Sequence, residues 1–228
     1  MRVGIIQSNY IPWRGYFDFI HDCDMFILHD DIQYTKGDWR NRNTIKTPRG
    51  PQWLTVPVHY DHTAQLIQDT RIDHRRAWQK KHLNALWENY RDAPYVNDAI
   101  SLFPQLHKAY TISELNEFLI RQVADYLGID TPILRSRNFG LDPALKKTDR
   151  ILVMCAAVGA THYLSGPAAK VYLDEEKLRQ VGIVTEYKVY SYSDYPQLHG
   201  RFMPQVSVMD LIANIGPDAP RYIWGGKR

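Results

Sequence analysis

The side chains best suited to chemistry are concentrated in one polar segment, DDIQYTKGDWRNRN, which runs from Asp30 to Asn43. Paired carboxylates can serve as a general base or as metal ligands. Arginine and lysine bind phosphate, amides hydrogen-bond to hydroxyls, and tryptophan provides a flat wall for a sugar or a base. We therefore predict Asp30 and Asp31 as catalytic residues, with a set of substrate-binding residues beside them: Gln33, Lys36, Trp39, Asn41, Arg42 and Asn43.

A second aromatic and polar loop, QSNYIPWRGYF, follows the first apolar run of the chain. It contributes four further candidate binding residues, Gln7, Tyr10, Trp13 and Tyr16. The loop is neither a P-loop nor a G-x-G-x-x-G turn, because it lacks their glycine density. Core packing of Trp13 stays open as an alternative, since tryptophan is usually mostly buried.

Ser165 and Gly166 are a third candidate site, because they follow a predicted strand and precede a predicted helix. Backbone N–H groups at such a helix start suit an anion. Pro167 at this place is equally typical of an ordinary helix start, so the structural interpretation also stays open.

Other kinds of site have little support in the sequence. Cys23 and Cys155 are far apart, which excludes a disulfide framework and a cysteine-based zinc site and fits a reducing cytoplasm. His59 and His62 have no third cluster of ligands nearby, so we expect no metal site there, and no motif names a cofactor. No G-x-S-x-G motif occurs, and the chain therefore shows no serine nucleophile of the hydrolase type.

Charge argues against one broad class of protein, and hydropathy excludes another. The net charge of +3 is mild, so nucleic-acid binding is not expected from it, although the basic segment Arg71–His82 leaves an RNA- or protein-binding module as an alternative. The longest apolar run, from Ile151 to Ala160, has ten residues, about half of what a membrane-spanning helix needs.

The order of apolar patterns predicts an α/β fold, with a mostly parallel sheet, flanking helices and a helical insertion in the middle of the chain. We expect one domain over residues 1–228, with the mainly helical insertion at about 76–128. Thr111 and Glu114 form a predicted capping box, and Gly128 ends that helix. Ligands of open α/β sheets bind at the carboxyl ends of the strands, where the loop from Gln7 begins.

Residues along almost the whole chain resemble the WbqC-like family of bacterial proteins. The more specific block is N-terminal: Gln7, Tyr10, Pro12, Trp13, Gly15, Tyr16, Phe17, Asp24, Asp30, Asp31, Gln33, Tyr34, Lys36, Trp39, Asn41, Arg42 and Asn43. Weaker matches follow in the right order: Trp53, Leu54, Val56, Pro57, Trp78, Tyr90, Pro94, Tyr95, Arg135, Ser136, Tyr163, Leu164, Ser165, Gly166, Tyr172, Phe202, Pro204, Ser207, Asp210, Leu211 and Asn214.

This resemblance implies a cytoplasmic transferase of O-antigen, that is surface-polysaccharide, biosynthesis. The reaction it suggests is acyl or aminoacyl transfer onto the amine of a nucleotide-activated amino sugar, with a small-molecule substrate and an activated acyl donor as partners. An enzyme of the adenylyl- or nucleotidyl-transferring kind is an alternative, because the order strand, aromatic loop, helix is similar to such nucleotide-binding domains.

Overall fold

The structure is a computed structural model that describes residues 1–103 and 109–225. In these residues the strands are β1 (Arg2–Ile6), β2 (Met25–Leu28), β3 (Arg42–Thr47), β4 (Gly50–Thr55), β5 (Ile133–Arg135), β6 (His162–Ser165) and β7 (Val184–Tyr187). The α-helices are α1 (Arg14–His21), α2 (Trp78–Tyr90), α3 (Val96–Ser101), α4 (Ile112–Leu127), α5 (Thr148–Ala157), α6 (Glu175–Gln180) and α7 (Val208–Ile215).

Backbone contacts divide the chain into two compact units, each assembled from three segments. Unit 1 comprises Met1–Gln7, Phe19–Asp31 and Asp130–Ser191. Unit 2 comprises the described residues of Ser8–Asp18, Ile32–Ile129 and Tyr192–Arg228. The expectation of one domain over the whole chain stays a prediction.

Unit 1 contains a five-stranded sheet in the order β5-β2-β1-β6-β7, and all of its strand pairs are parallel. This confirms the predicted α/β fold with a parallel sheet. Along the chain the strands run outward from β1 to β2 and β5, and then return to the other side of β1 with β6 and β7. In open parallel sheets, the crevice at such a reversal is where ligands characteristically bind.

Both faces of the β1 strand are buried, which explains its short, uninterrupted apolar sequence. Val3 and Ile5 point into a core that also contains Ile151 and Met154 of α5. Gly4 points to the opposite face, where a Cβ would lie 2.4 Å from the Phe19 ring. The glycine therefore permits a close approach that any side chain would block.

Unit 2 contains the antiparallel hairpin of β3 and β4. The polar sequence of β3 and the breakers Pro48, Gly50 and Pro51 predict an irregular loop up to residue 52, and this prediction is wrong. Gly50 instead allows the tight turn between the strands, because its φ of +102° is in the region that favours glycine. Pro51 lies in the two-stranded ribbon, where a missing N–H can face away from the partner strand.

The helices of unit 2 begin and end largely where the sequence predicts. The capping box of Thr111 and Glu114 opens α4, and Gly128 closes it with a φ of 72°. The helix predicted from Val96 to Ala109 is present as α3 up to Ser101, and residues 104–108 lie outside the described residues. No helix among the residues described is both long enough and apolar enough to cross a membrane.

One helix prediction in unit 1 needs correction. The sequence of Ala169–Val181 predicts a single helix, but its first residues belong to a 3-10 turn over Pro167–Val171 and the later ones to the separate helix α6. The break lies at Leu173 and Asp174, where the Asp174 side chain accepts a hydrogen bond from the Lys177 backbone and caps the new helix.

Candidate functional site

A pocket of about 230 Å³ in unit 2 brings together residues from both predicted loops. Its walls carry two indole rings, three amide side chains and a proline, and none of these lining side chains is charged. The lining residues are Asn9, Pro12, Trp13, Trp39, Asn43 and Gln205. Aromatic faces beside amide groups are the surroundings that a polar ring compound such as a sugar requires.

The position of Trp13 in this pocket depends on Gly15. A Cβ at Gly15 would lie 2.3 Å from the Trp13 ring, so the indole packs against the bare backbone of the first turn of α1. Tyr192 meets the same indole edge-on, with 5.9 Å between the ring centroids. These contacts hold the Trp13 ring in place.

Asn43 joins the two loops through its side-chain amide. Its Nδ2 donates to the carbonyls of Tyr10, at 3.1 Å, and Ile11, at 3.0 Å, while its Oδ1 accepts from the Thr44 backbone at 2.8 Å. The Tyr10 backbone N–H also donates to the Trp39 carbonyl at 2.9 Å. Because both Asn43 protons are used internally, its first role is to position the pocket.

Asn9 and Gln205 are the lining amides with free donors. Oδ1 of Asn9 accepts from the Arg40 guanidinium, but its Nδ2 bonds to none of the described residues. Gln205 is exposed, and its side chain has no partner among the same residues. Each can therefore donate to, or in the case of Gln205 also accept from, a ligand hydroxyl.

Trp39 and Trp53 form an exposed pair beside the pocket. Their side chains are 44% and 47% exposed, and their ring centroids lie 5.5 Å apart. The Arg42 guanidinium carbon lies 4.3 Å from the Trp53 centroid. Exposed tryptophans are unusual in a free surface, so this pair is a natural stacking surface for a ligand.

Tyr10 and Tyr16 lie in the interior rather than on the pocket wall. Tyr10 is fully buried, and its hydroxyl pairs with Nδ1 of His82 at 2.8 Å among the rings of Trp78 and Phe103. Burial lowers the pKa of His82 to about 4, so its ring is neutral at physiological pH. Tyr16 is 4% exposed and packs on neighbouring aromatic rings.

The remaining predicted residues of unit 2 have different surroundings. Asn41 is buried, and its amide donates to the Val56 carbonyl at 2.9 Å, which supports the hairpin. Gln33 is exposed and pairs through its backbone with Leu66. Lys36 is exposed, with its ammonium 5.7 Å from the Tyr60 ring.

Asp31 belongs to unit 1, where both of its carboxylate oxygens are used. The Ser136 hydroxyl donates to Oδ1, and the Arg150 guanidinium donates to Oδ2 in an ion pair whose side chains are 9% and 12% exposed. Asp30 beside it is 4% exposed. These two contacts tie the Asp31 carboxylate to Ser136 and to Arg150 of α5.

His29 completes this cluster at the end of β2. Nε of Arg150 donates to Nε2 of His29 at 3.3 Å, and the nearest Asp31 oxygen is 3.7 Å from the same ring nitrogen. Burial, followed by the Arg150 charge, lowers the pKa of His29 to about 4, against the opposing effect of Asp31. The sequence prediction named Asp31 but missed its neighbour His29, and it missed Ser136 and Arg150 because they come from distant segments.

Gln7, Ser165 and Gly166 lie at the carboxyl ends of the neighbouring strands β1 and β6, where the strand order reverses. The Ser165 hydroxyl is buried and bonds to the Tyr163 hydroxyl at 3.3 Å. Gly166 precedes the 3-10 turn, and a Cβ there would meet nothing within 4 Å. The unit 1 members of the predicted site are thus Gln7, Asp30, Asp31, Ser165 and Gly166.

Comparison with known proteins explains why these motifs resemble a family. The WbqC-like protein family matches residues 7–222, nearly the whole chain. The chain belongs to the WbqC-like protein family. An uncharacterized protein of Mycobacterium tuberculosis (strain ATCC 25618 / H37Rv), Rv1507c, is 45% identical to this WbqC-like chain over 227 residues, which cover 97% of each protein. No solved structure matches this WbqC-like chain.

Proposed function

We propose that this WbqC-like protein is a transferase of bacterial surface-polysaccharide biosynthesis, and that the ring of its sugar substrate binds between Trp13 and Trp39. The reaction that we propose is acyl or aminoacyl transfer onto the amine of a nucleotide-activated amino sugar. The observation that best supports this proposal is the pocket, in which two indoles and three amides line a cavity without charged lining residues. Indole faces pack on the C–H groups of a sugar ring, and amides satisfy its hydroxyls.

The size of the pocket supports one ring rather than a whole nucleotide sugar. Pockets that enclose drug-sized ligands have volumes of roughly 300–1,000 Å³, and this one has about 230 Å³. The sugar therefore fills the pocket, while the nucleotide part lies outside it. The absence of charge on the lining residues also suits a neutral ring better than a phosphate.

Direct transfer from an activated donor fits the side chains better than a covalent acyl-enzyme. Both cysteines are buried, and burial raises the pKa of the Cys155 thiol to about 12, so it is not a thiolate at neutral pH. The Asp31 carboxylate is held by Arg150 and Ser136, and we therefore do not propose it as the base that deprotonates the amine.

Titration with UDP-glucosamine tests the sugar site, with tryptophan fluorescence and calorimetry as readouts. Replacing Trp39 with Ala removes one wall of the pocket and is expected to weaken binding at least tenfold, or about 1.4 kcal/mol. Trp87→Ala is the matched control, because Trp87 is 49% exposed on α2 and does not line the pocket. Equal affinity of the Trp39→Ala variant and the wild type would overturn the assignment. Mass gain of the sugar in the presence of an acyl donor reports transfer.

An adenylyl- or nucleotidyl-transferring activity is the second candidate, and the strand order favours it. The reversal between β1 and β6 is where parallel sheets bind nucleotides, and Gly166 leaves open space there. Gly166→Val is expected to fold and to weaken ATP binding several-fold by obstructing that space. If ATP does not bind to the wild type, or binds equally to Gly166→Val, this second candidate is excluded.

A further inference from the structure

The Arg42 guanidinium is an unpaired charge beside the sugar pocket. It forms no hydrogen bond or ion pair with the described residues, and its Nε is buried without a partner. Leaving a buried donor unsatisfied costs about 1–3 kcal/mol, and more when the group is charged. An arginine that bears this cost at the start of β3 is available for an acceptor from outside the protein.

The surroundings of Arg42 hold the guanidinium in place without using its donors. Its central carbon is 4.3 Å from the Trp53 centroid, in a cation–π contact. On the loop before β3, a Cβ at Gly37 would lie 3.7 Å from the guanidinium, so the bare backbone passes close to it. Neither contact takes up an N–H group, and the planar group can therefore still bind an anion with two parallel bonds.

The Asp38 carboxylate of the same loop is already used. Asp38 pairs with Arg40 at 3.4 Å and accepts the Trp39 backbone N–H at 2.7 Å. Arg40 in turn donates to the lining residue Asn9, so its guanidinium is held behind the pocket wall by Asp38 and Asn9. The two arginines therefore differ, because Arg40 forms an ion pair with Asp38 and Arg42 forms none with the described residues.

Two further donors of the segment from Asp30 to Asn43 have no partner among the described residues. The Tyr34 hydroxyl is buried without a hydrogen bond to them, and the side chain is 1% exposed. Burial is the first cause that raises the pKa of Tyr34 to about 12, and the Arg42 charge acts in the opposite direction. Lys36 contacts the Tyr60 ring, which packs on Tyr34, and its ammonium has no acid among the described residues.

We propose that Arg42, stacked on Trp53, binds a phosphoryl group of the substrate, with the exposed Lys36 ammonium of the same loop as a further donor. This inference rests on the proposed function, because it assigns a binding residue to the phosphate of the proposed nucleotide-activated sugar. Two cations in one loop match the double negative charge of a phosphoryl group better than the single charge of a carboxylate. The sugar ring then lies in the uncharged pocket and its phosphate lies at Arg42.

Calorimetric titration with inorganic pyrophosphate tests the anion site without a sugar. Arg42→Met is expected to weaken pyrophosphate binding about ten- to hundredfold, the effect of a lost charge-assisted pair. Arg42→Lys keeps the charge and the contact with Trp53 but loses the planar fork, so we expect an intermediate loss of a few-fold. Arg49→Met is the matched control, since Arg49 is exposed on the turn of the same hairpin.

Two results would overturn this inference. Pyrophosphate affinity that is equal in Arg42→Met, Arg42→Lys and the wild type removes the anion site. Glucuronate binding that is tighter than glucose 1-phosphate binding, and that is lost in Arg42→Met, assigns the site to a carboxylate instead.

The Trp39→Ala variant separates the inference from the proposed function. If Trp39→Ala leaves UDP-glucosamine affinity unchanged while Arg42→Met abolishes pyrophosphate binding, the anion site stands and the sugar pocket fails. If Trp39→Ala weakens sugar binding and Arg42→Met leaves pyrophosphate binding unchanged, the sugar pocket stands and the anion site fails.

Discussion

At the scale of single residues, the aromatic side chains of the two predicted loops differ in burial and in whether their polar atom has a hydrogen-bond partner. Tyr10 and Tyr34 are both buried, but the Tyr10 hydroxyl has His82 as partner and the Tyr34 hydroxyl has none among the described residues. Trp13 and Trp39 instead line the pocket. The sequence groups these aromatics in two loops, yet it does not show which hydroxyl is satisfied, because His82 lies far along the chain.

The buried His82 predicts a loss of stability in acid. Its pKa of about 4 in the folded state lies below the unfolded value near 6.5, so the unfolded chain takes up the proton first as the pH falls. Its contribution is therefore complete above pH 6.5 and is lost progressively down to about pH 4. Between pH 7.5 and 4.5 we expect His82 to account for a loss of about 2–3 kcal/mol.

Urea unfolding of the wild type and of His82→Gln at these two pH values measures this contribution. His82→Gln keeps an acceptor for the Tyr10 hydroxyl but does not titrate, so its free energy of unfolding should fall less in acid. The His29→Gln variant is a comparison, because His29 is also buried with a pKa of about 4. An identical pH dependence in His82→Gln and the wild type contradicts the prediction.

At the scale of elements, apolar periodicity and capping residues predicted most helices and strands, but they did not predict the β3–β4 hairpin. The capping box and the glycine of α4 are local signals, and local signals are visible in sequence. In the hairpin, the polar strand β3 is followed by Pro and Gly. β3 pairs with β4, for example Arg42 with Thr55, and such pairing between separate segments is not visible in local sequence. Propensity alone therefore assigned that segment to a loop.

Gly4 tests how closely the strand β1 is packed. A Cβ would lie 2.4 Å from the Phe19 ring and 2.6 Å from the Cys23 sulfur, so Gly4→Ala should lower the free energy of unfolding by about 1–3 kcal/mol. Gly166→Ala is the control, since a Cβ there meets nothing within 4 Å, and we expect a change within about 0.5 kcal/mol. Chemical denaturation compares them, and equal stabilities would show that β1 has room for a side chain.

At the scale of the whole molecule, each unit is assembled from segments that are distant along the chain. In unit 1 the pair of Asp31 and Arg150 links residues 119 apart, between the end of β2 and α5. The same pair is the reason that Asp31, which the sequence suggested as a catalytic base, has both oxygens occupied. These contacts predict a structural contribution of Asp31 to unit 1, while its catalytic role stays a prediction.

Removal of Asp31 should therefore destabilise the protein. Asp31→Ala leaves the Arg150 charge nearly buried and unpaired, and we expect a loss of about 3–5 kcal/mol in the free energy of unfolding. Combining it with Arg150→Met should recover part of this loss, because the unpaired charge is then gone. A double variant whose loss equals the sum of the single losses would show that the two side chains are independent.

The sequence by itself determined the family, the parallel α/β class and the candidate loops, because apolar periodicity, capping residues and ordered motifs are properties of neighbouring residues. Only the tertiary structure decided which polar groups are satisfied and which are free. Asp31 pairs with Arg150, Tyr10 pairs with His82 and Asn43 holds the loop at Tyr10. The donors of Arg42 and the Asn9 amide have no partner in the described part of the chain. Hydrogen-bond partners come from distant segments, so the difference between a structural and a ligand-binding side chain arises only on folding.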